Sequence, residues 1–197
     1  MNYENKVINY MKSNSDTITI EEINQLNIPR ITLTRLIDKK LIERVKIGLY
    51  VLKDCWGDEY FNLIYSNNYA VYSHLTSLYF NDLCERVPME YDITVKKNYS
   101  GSLRNEEKVK LYYVSDEQYE LGLIHIKSPQ GRVIKCYDVE RCLCDLIKRK
   151  NKVYLEYLKY AFNEYYKVQK KDTKKLYEYA KKLNIYNKVK EFMEIVI

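Results

Sequence analysis

Apolar positions recur every three or four residues from 3 to 11, at Tyr3, Val7, Ile8 and Met11. This predicts a first amphipathic helix, closed at Asn14-Ser15-Asp16. Ile20, Ile23 and Leu26 give a second, and Thr19 with Glu22 has the spacing of a capping box at its start. Asn27-Ile28-Pro29 breaks it, since Pro29 cannot continue a helix yet suits the cap or first turn of the next. The third helix, about 30–41, is expected to bury Leu33, Leu36, Ile37 and Leu41, leaving Arg30, Thr32, Thr34, Arg35 and Lys39 outside. Ile42-Glu43-Arg44-Val45 and Leu49-Tyr50-Val51-Leu52 then alternate as a hairpin does, with Gly48 free to take the positive φ of the turn. This order is the plan of a winged helix-turn-helix over residues 1–53. In such a domain the second helix of the pair enters the major groove. The expected DNA-binding residues are therefore Arg30, Thr32, Thr34, Arg35 and Lys39 on the helix, with Arg44 and Lys46 on the wing. Arg can bridge guanine, and Thr can donate to bases or phosphates.

The pattern changes after Lys53. Residues 54–68 read as a connecting segment, helical in part, with Trp56, Phe61 and Ile64 buried. Residues 69–197 mix strands and helices. Tyr69 to Tyr72 is a short apolar run, and Ser73 caps a helix reaching about Leu83, with Leu75, Leu78, Tyr79 and Leu83 inward. Strands are expected at 91–95 and 109–114, and a hairpin from 123–126 and 132–136 turns at Ser128-Pro129-Gln130-Gly131. Asp138 caps a helix over 139–150. Further helices carry Leu155, Leu158, Phe162 and Tyr165, then Leu176, Ala180 and Leu183 behind an Asp172 cap, then Val189, Phe192 and Val196. The fold class is α+β: an N-terminal winged helix-turn-helix, then an α+β domain ending in a basic helical bundle.

Charge sharpens this organisation. The net charge is +6. Residues 1–53 hold nine basic and six acidic side chains, residues 54–130 seven and twelve, and residues 131–197 seventeen and nine. Basic ends around an acidic middle fit a polyanionic partner bound in a salt-dependent way. Lys148, Arg149, Lys150, Lys170, Lys171, Lys174 and Lys175 form a candidate second basic surface, set against the plainer reading of solvated helix faces. No apolar run nears the ~20 residues that span a bilayer, and the first residues lack a signal-peptide core, so a cytoplasmic protein is expected. Five cysteines and two histidines show none of the common zinc spacings, and no metal or cofactor is expected.

Three stretches together resemble a known family. They are RLIDKKLIERVKIGLYVL (35–52), AVYSHLTSLYFNDLCERVPMEYDITV (70–95) and GRVIKCYDVERCLCDLIKRK (131–150). Their order and spacing are similar to those of the AbiEi-type antitoxins of type IV toxin–antitoxin and abortive-infection systems. Tyr137, Asp138, Glu140, Arg141, Asp145, Leu146 and Ile147 carry the third motif; Ser73, Leu75 and Pro88 carry the second. Cys142 and Cys144 depart from it, standing where small or apolar residues are expected. The resemblance implies a repressor that binds inverted repeats in its own promoter through the winged helix, with two copies on the DNA. It also implies that residues 69–197 form an antitoxin domain. That domain counteracts a nucleotidyltransferase-like toxin without a stable complex.

The residues alone point to no enzyme. Arg141 and Asp145 lie four apart on one helix face, as a structural pair does. Ser73 beside His74 is no nucleophile–base pair by helical geometry, and no Gly-rich phosphate loop is present. Two other readings stay open at this level: a stand-alone winged-helix regulator, and a nucleic-acid-processing enzyme with its site in the α+β domain.

Overall fold

The computed structural model describes residues 2–84, 86–149, 152–167 and 171–196, with side chains for all of these except 152–154, 195 and 196. Among the described residues the chain is mixed α+β with two sheets. It divides into two compact units, Met1–Asn68 with Ile126–Ile134, and Tyr69–His125 with Lys135–Ile197.

Unit 1 runs α1 (Tyr3–Lys12), β1 (Thr17–Thr19), α2 (Ile20–Gln25), α3 (Ile31–Asp38), β2 (Ile42–Lys46), β3 (Leu49–Leu52) and α4 (Glu59–Ile64). The capping box is formed: the Thr19 hydroxyl accepts from the Glu22 amide, and Glu22 accepts from the Thr19 amide. Asn27 then takes φ +54°, and the Ile28 amide closes back onto the Ile23 carbonyl at 3.1 Å, so α2 ends in a left-handed cap. Lys40 ends α3 in the same way, at φ +56°. The third helix is thus shorter than 30–41, and Lys39 is its cap. Val7, Met11, Ile18, Ile23, Ile28, Leu33, Leu36 and Ile42 make the core.

The three-stranded sheet has order β1-β3-β2, and all of its pairings are antiparallel. β1 is an addition to the sequence reading, because three residues are too few to show alternation. Gly48 takes φ +79° in the β2–β3 turn. A Cβ there would stand 3.1 Å from the Tyr65 hydroxyl and 3.2 Å from Ile20, so the turn also needs glycine for space. Two expectations about the following segment are corrected. Trp56 is 94% exposed, and Tyr60 is the buried aromatic of α4.

Two carboxylates, buried Asp58 and half-buried Glu22, fasten residues 126–134 into unit 1. Asp58 caps α4 by accepting from the Phe61 amide at 2.9 Å, and it also accepts from the Arg132 amide and the Ser128 hydroxyl. Glu22 accepts from both terminal nitrogens of Arg132, at 2.8 and 3.1 Å, and from the Tyr10 hydroxyl at 3.0 Å. The Arg132 guanidinium also lies 4.3 Å from the Phe61 ring centroid.

After residue 68 the chain runs β4 (Val71–Tyr72), α5 (His74–Phe80), β5 (Tyr91–Lys96), a 3-10 turn at Ser102–Asn105, β6 (Val109–Val114), α6 (Asp116–Glu120), β7 (Leu123–Lys127) and β8 (Val133–Tyr137), unit 2 holding all of these but residues 126–134. Four helices follow: α7 (Val139–Lys148), α8 (Lys152–Lys167), α9 (Thr173–Lys182) and α10 (Tyr186–Val196). The sheet order is β6-β5-β4-β8-β7, with β5–β6 and β4–β8 parallel and β4–β5 antiparallel.

Helix α7 is the centre of the unit's core, buried from Glu140 through Ile147. A helix buried on every side must pair whatever charges it carries. Asp138 and Asp172 cap α7 and α9, accepting from the Arg141 and Lys175 amides. Gly122, at φ +79°, lets the chain pass α7; a Cβ there would come 2.7 Å from the Arg141 Cβ. Leu158, Phe162, Tyr165, Leu176, Ala180, Leu183, Val189 and Phe192 are buried, whereas Leu155 is exposed. Val196, expected inward, lies outside the described side chains, and Lys150 lies outside the described residues.

Two outcomes follow from this packing. Arg132→Ala strands Glu22 and lowers the stability of unit 1 by about 3 kcal/mol, the cost of breaking a largely buried pair. Native-state hydrogen exchange of the α1 and α2 amides reads that loss directly. The five thiols are free, Cys55 exposed and the other four buried. Burial pushes the Cys136 thiol up to about 12. A native thiol titration at pH 8 therefore gives one fast equivalent, from Cys55, and four that react only on unfolding.

Candidate nucleic-acid interface

Helix α3 presents two unlike sides. Thr32, Leu33 and Leu36 are buried, while Ile31, Thr34, Arg35 and Asp38 are exposed and follow the i, i+3, i+4, i+7 rule of one face. This corrects three expectations. Thr32 is 3% exposed and takes a core position, so it is not on the outer face. Ile37 and Leu41, expected inside, are exposed. Ile31 is 54% exposed and stands on the outer face with Thr34 and Arg35. Sorting residues by polarity hid it; sorting them by angle around the helix from buried Leu33 and Leu36 finds it.

The basic residues differ in freedom. Arg30 donates through Nε to Asn24 at 3.3 Å, and Lys39 is paired with Glu4 on α1 at 2.6 Å. Lys46 donates to the Leu63 carbonyl at 2.8 Å, which ties β2 to α4. Arg35 and Arg44 are exposed, and among the described residues their side chains have no hydrogen-bond or ion-pair partner. Ile47, at the tip of the β2–β3 hairpin, is 82% exposed. The turn behind it is held by Tyr65, whose hydroxyl lies 2.6 Å from a Glu21 carboxylate oxygen and 3.1 Å from the Gly48 carbonyl. That hydroxyl holds the Glu21 carboxyl below its ordinary range. The Ile20 amide donates to the same Gly48 carbonyl at 2.8 Å. The hairpin is therefore fixed at its turn.

The candidate second basic surface is only partly a surface. Lys148, Arg149 and Lys174 are exposed, and Arg149 lies over the Tyr112 ring at 4.3 Å. Lys171 donates to the Tyr166 carbonyl at 3.3 Å. Lys175 is a structural cation, 2.9 Å from Asp138 and 3.5 Å from Glu140, and the hydrogen bond to Asp138 helps hold its pKa above the ordinary value despite burial. Lys150 and Lys170 lie outside the described residues.

The acids of α7 are all engaged. Arg141 donates through Nε to Asp145 at 2.9 Å and through Nη1 to the Leu121 and Gln118 carbonyls, with its guanidinium 4.4 Å from the Tyr137 ring centroid. Burial pushes the Asp145 carboxyl up while Arg141 pulls it back. Glu140 accepts from the Tyr165 hydroxyl and the Asp172 amide, and Asp138 from the Tyr179 hydroxyl. These contacts join α7 to α8 and α9 and leave no convergent carboxylate pair open to solvent. Among the described residues, no group of three or more His, Cys, Asp or Glu is arranged to hold a metal.

Ser73 and His74 need a correction. His74 adopts φ +46°, so the Ser73 hydroxyl lies 2.9 Å from His74 Nδ1 rather than pointing away. Ser73 makes no side-chain cap; Asp92 accepts from the Leu75 amide at 3.2 Å instead. His74 is stacked on Tyr112 with centroids 3.7 Å apart. Burial holds its pKa well below the usual value, and Arg149, Arg141 and Lys110 push the same way. The ring is a neutral packing element.

No helix among the described residues is long and apolar enough to cross a membrane. No curated protein matches the chain. Residues 7–53, which contain α2, α3 and the hairpin, match the family model described as "Transcriptional regulator, AbiEi antitoxin", the family that the sequence resembles.

Proposed function

We propose that this chain is an antitoxin and autorepressor. Residues 1–53 act as a winged helix-turn-helix on inverted repeats in its own promoter, and residues 69–197 counteract a nucleotidyltransferase-like toxin without forming a stable complex with it. The observation that carries the DNA-binding half is the outer face of α3, where Thr34 and Arg35 stand exposed over a helix anchored by Leu33 and Leu36. The hairpin beside it in sequence carries Arg44, exposed and uncommitted among the described residues. The family match over the same residues supports this reading, and so does their excess of nine basic over six acidic side chains in 1–53.

The roles divide by side chain. Arg35 reads a base edge, where its fork matches guanine. Arg44 sits on a phosphate and sets the salt dependence. Lys39, Lys46 and Arg30 support the helix and wing through their protein contacts. Inverted repeats require two copies related by a two-fold axis on the DNA. The second unit is read as non-enzymatic, since the acids of α7 are spent on packing.

The test is fluorescence anisotropy on the DNA upstream of the chain's own gene, at two salt concentrations. Arg35→Ala is expected to weaken binding by roughly tenfold to a hundredfold, and Arg44→Ala to lower the salt slope by about one. Equal, weak binding to any duplex, unmoved by either change, would refute the repressor reading. In cells co-expressing a candidate nucleotidyltransferase-like toxin, Arg35→Ala is expected to lose repression yet still restore growth. Loss of both together would show that the two activities are not separable in this way.

A further inference from the structure

The reading of α3 as the helix that enters the groove leaves its apolar exposure unexplained. Ile31, the first residue of α3, is 54% exposed while Leu33 and Leu36 are buried. Ile37, Leu41, Val45 and Ile47 are also exposed. These aliphatic side chains alternate along residues 30–47 with six basic and only two acidic side chains. Of these, Ile31 shares the outer face of α3 with Thr34 and Arg35, so a partner for that face must offer both negative charge and small apolar groups. The DNA major groove offers both: phosphates along its walls, and on its floor the C5-methyl of thymine.

We propose that α3 reads thymine methyl groups. Ile31 and the methyl of Thr34 seat against C5-methyls of thymines in the operator, beside the base contacted by Arg35. The N-terminal residues of a recognition helix are those that reach base edges, and Ile31 is the first of them. Thr34 and Arg35 follow one turn later on the same face. The operator half-site therefore holds thymines at the positions facing the start of α3. The inference rests on the DNA-binding reading above and adds to it what the helix selects.

The experiment uses the full chain and its upstream DNA prepared twice, once with thymidine and once with deoxyuridine throughout. The two duplexes differ only in the C5-methyl. Removing a methyl from a buried apolar contact corresponds to roughly a fourfold loss of affinity per half-site. Wild type is therefore expected to bind the deoxyuridine duplex of order tenfold more weakly when both half-sites are filled. Ile31→Ala, a change at an exposed site that leaves the thermal midpoint in place, is expected to lose at least half of that discrimination. Equal wild-type affinity for the two duplexes, with Arg35→Ala still harmful, overturns the methyl reading and leaves the repressor reading standing. A loss in Ile31→Ala that is the same for both duplexes also overturns it. No preference for the upstream DNA in any form overturns both.

Discussion

The bidentate pair between Glu22 and Arg132 is the contact on which the first unit depends. One carboxylate receives the guanidinium at 2.8 and 3.1 Å, the Tyr10 hydroxyl of α1 and the Thr19 amide that starts α2. A charge-assisted fork of this kind fixes direction as well as distance. It sets the angle between α1 and α2, and α2 in turn positions the turn into α3 through Asn27 and Ile28. The side chains that face outward from α3 are therefore placed by a pair that none of them touches. Asp58 does the same for α4, and α4 holds the hairpin through Tyr65 and the Leu63 carbonyl.

The second unit applies the same rule more severely. Its central helix is enclosed, yet it carries Glu140, Arg141 and Asp145. Burying a charge is unfavourable unless a partner of opposite sign and further hydrogen bonds accompany it. Glu140 meets Lys175, the Tyr165 hydroxyl and the Asp172 amide, and Arg141 meets Asp145 and the Gln118 and Leu121 carbonyls, with its Nη2 left without a hydrogen-bond partner among the described residues. Charges used in this way give α7 one orientation among its neighbours, where a purely apolar helix could settle in several. The motif Tyr137, Asp138, Glu140, Arg141, Asp145 is thus a packing signature more than a chemical one. Cys142 and Cys144, which stand out in the sequence, are buried fillers of the same core.

What the sequence made legible was local. The capping box at Thr19, the positive φ at Gly48 and the Asp138 and Asp172 caps each involve residues within about four positions, so spacing alone reveals them. The misreadings have a common cause. Thr32 was placed outside by its polarity, yet it stands only 100° round the helix from buried Leu33 and takes a core position, while apolar Ile31 is exposed. Ser73 gives up its cap to Asp92, a residue on a neighbouring strand. Lys175, read as a surface charge, is held by Asp138 and Glu140 from another helix. Trp56 is exposed where a large aromatic was expected inside, and Tyr60 is the buried aromatic of that segment. Arg132 was not singled out at all, since its partner lies 110 residues away. Contacts of that range leave no periodic trace.

The assignment of residues 126–134 to the first unit also has a consequence in time. A chain is made from its N-terminus, so residues 69–125 must emerge before Ser128 and Arg132 exist. Until then Glu22 lacks its guanidinium and Asp58 lacks two of its donors. In the nascent first unit Glu22 has the Tyr10 hydroxyl and the Thr19 amide but no cation, and Asp58 has the Phe61 amide alone. Its completion waits on synthesis well into the second unit, so a polypeptide cut short before residue 132 lacks the finished fold.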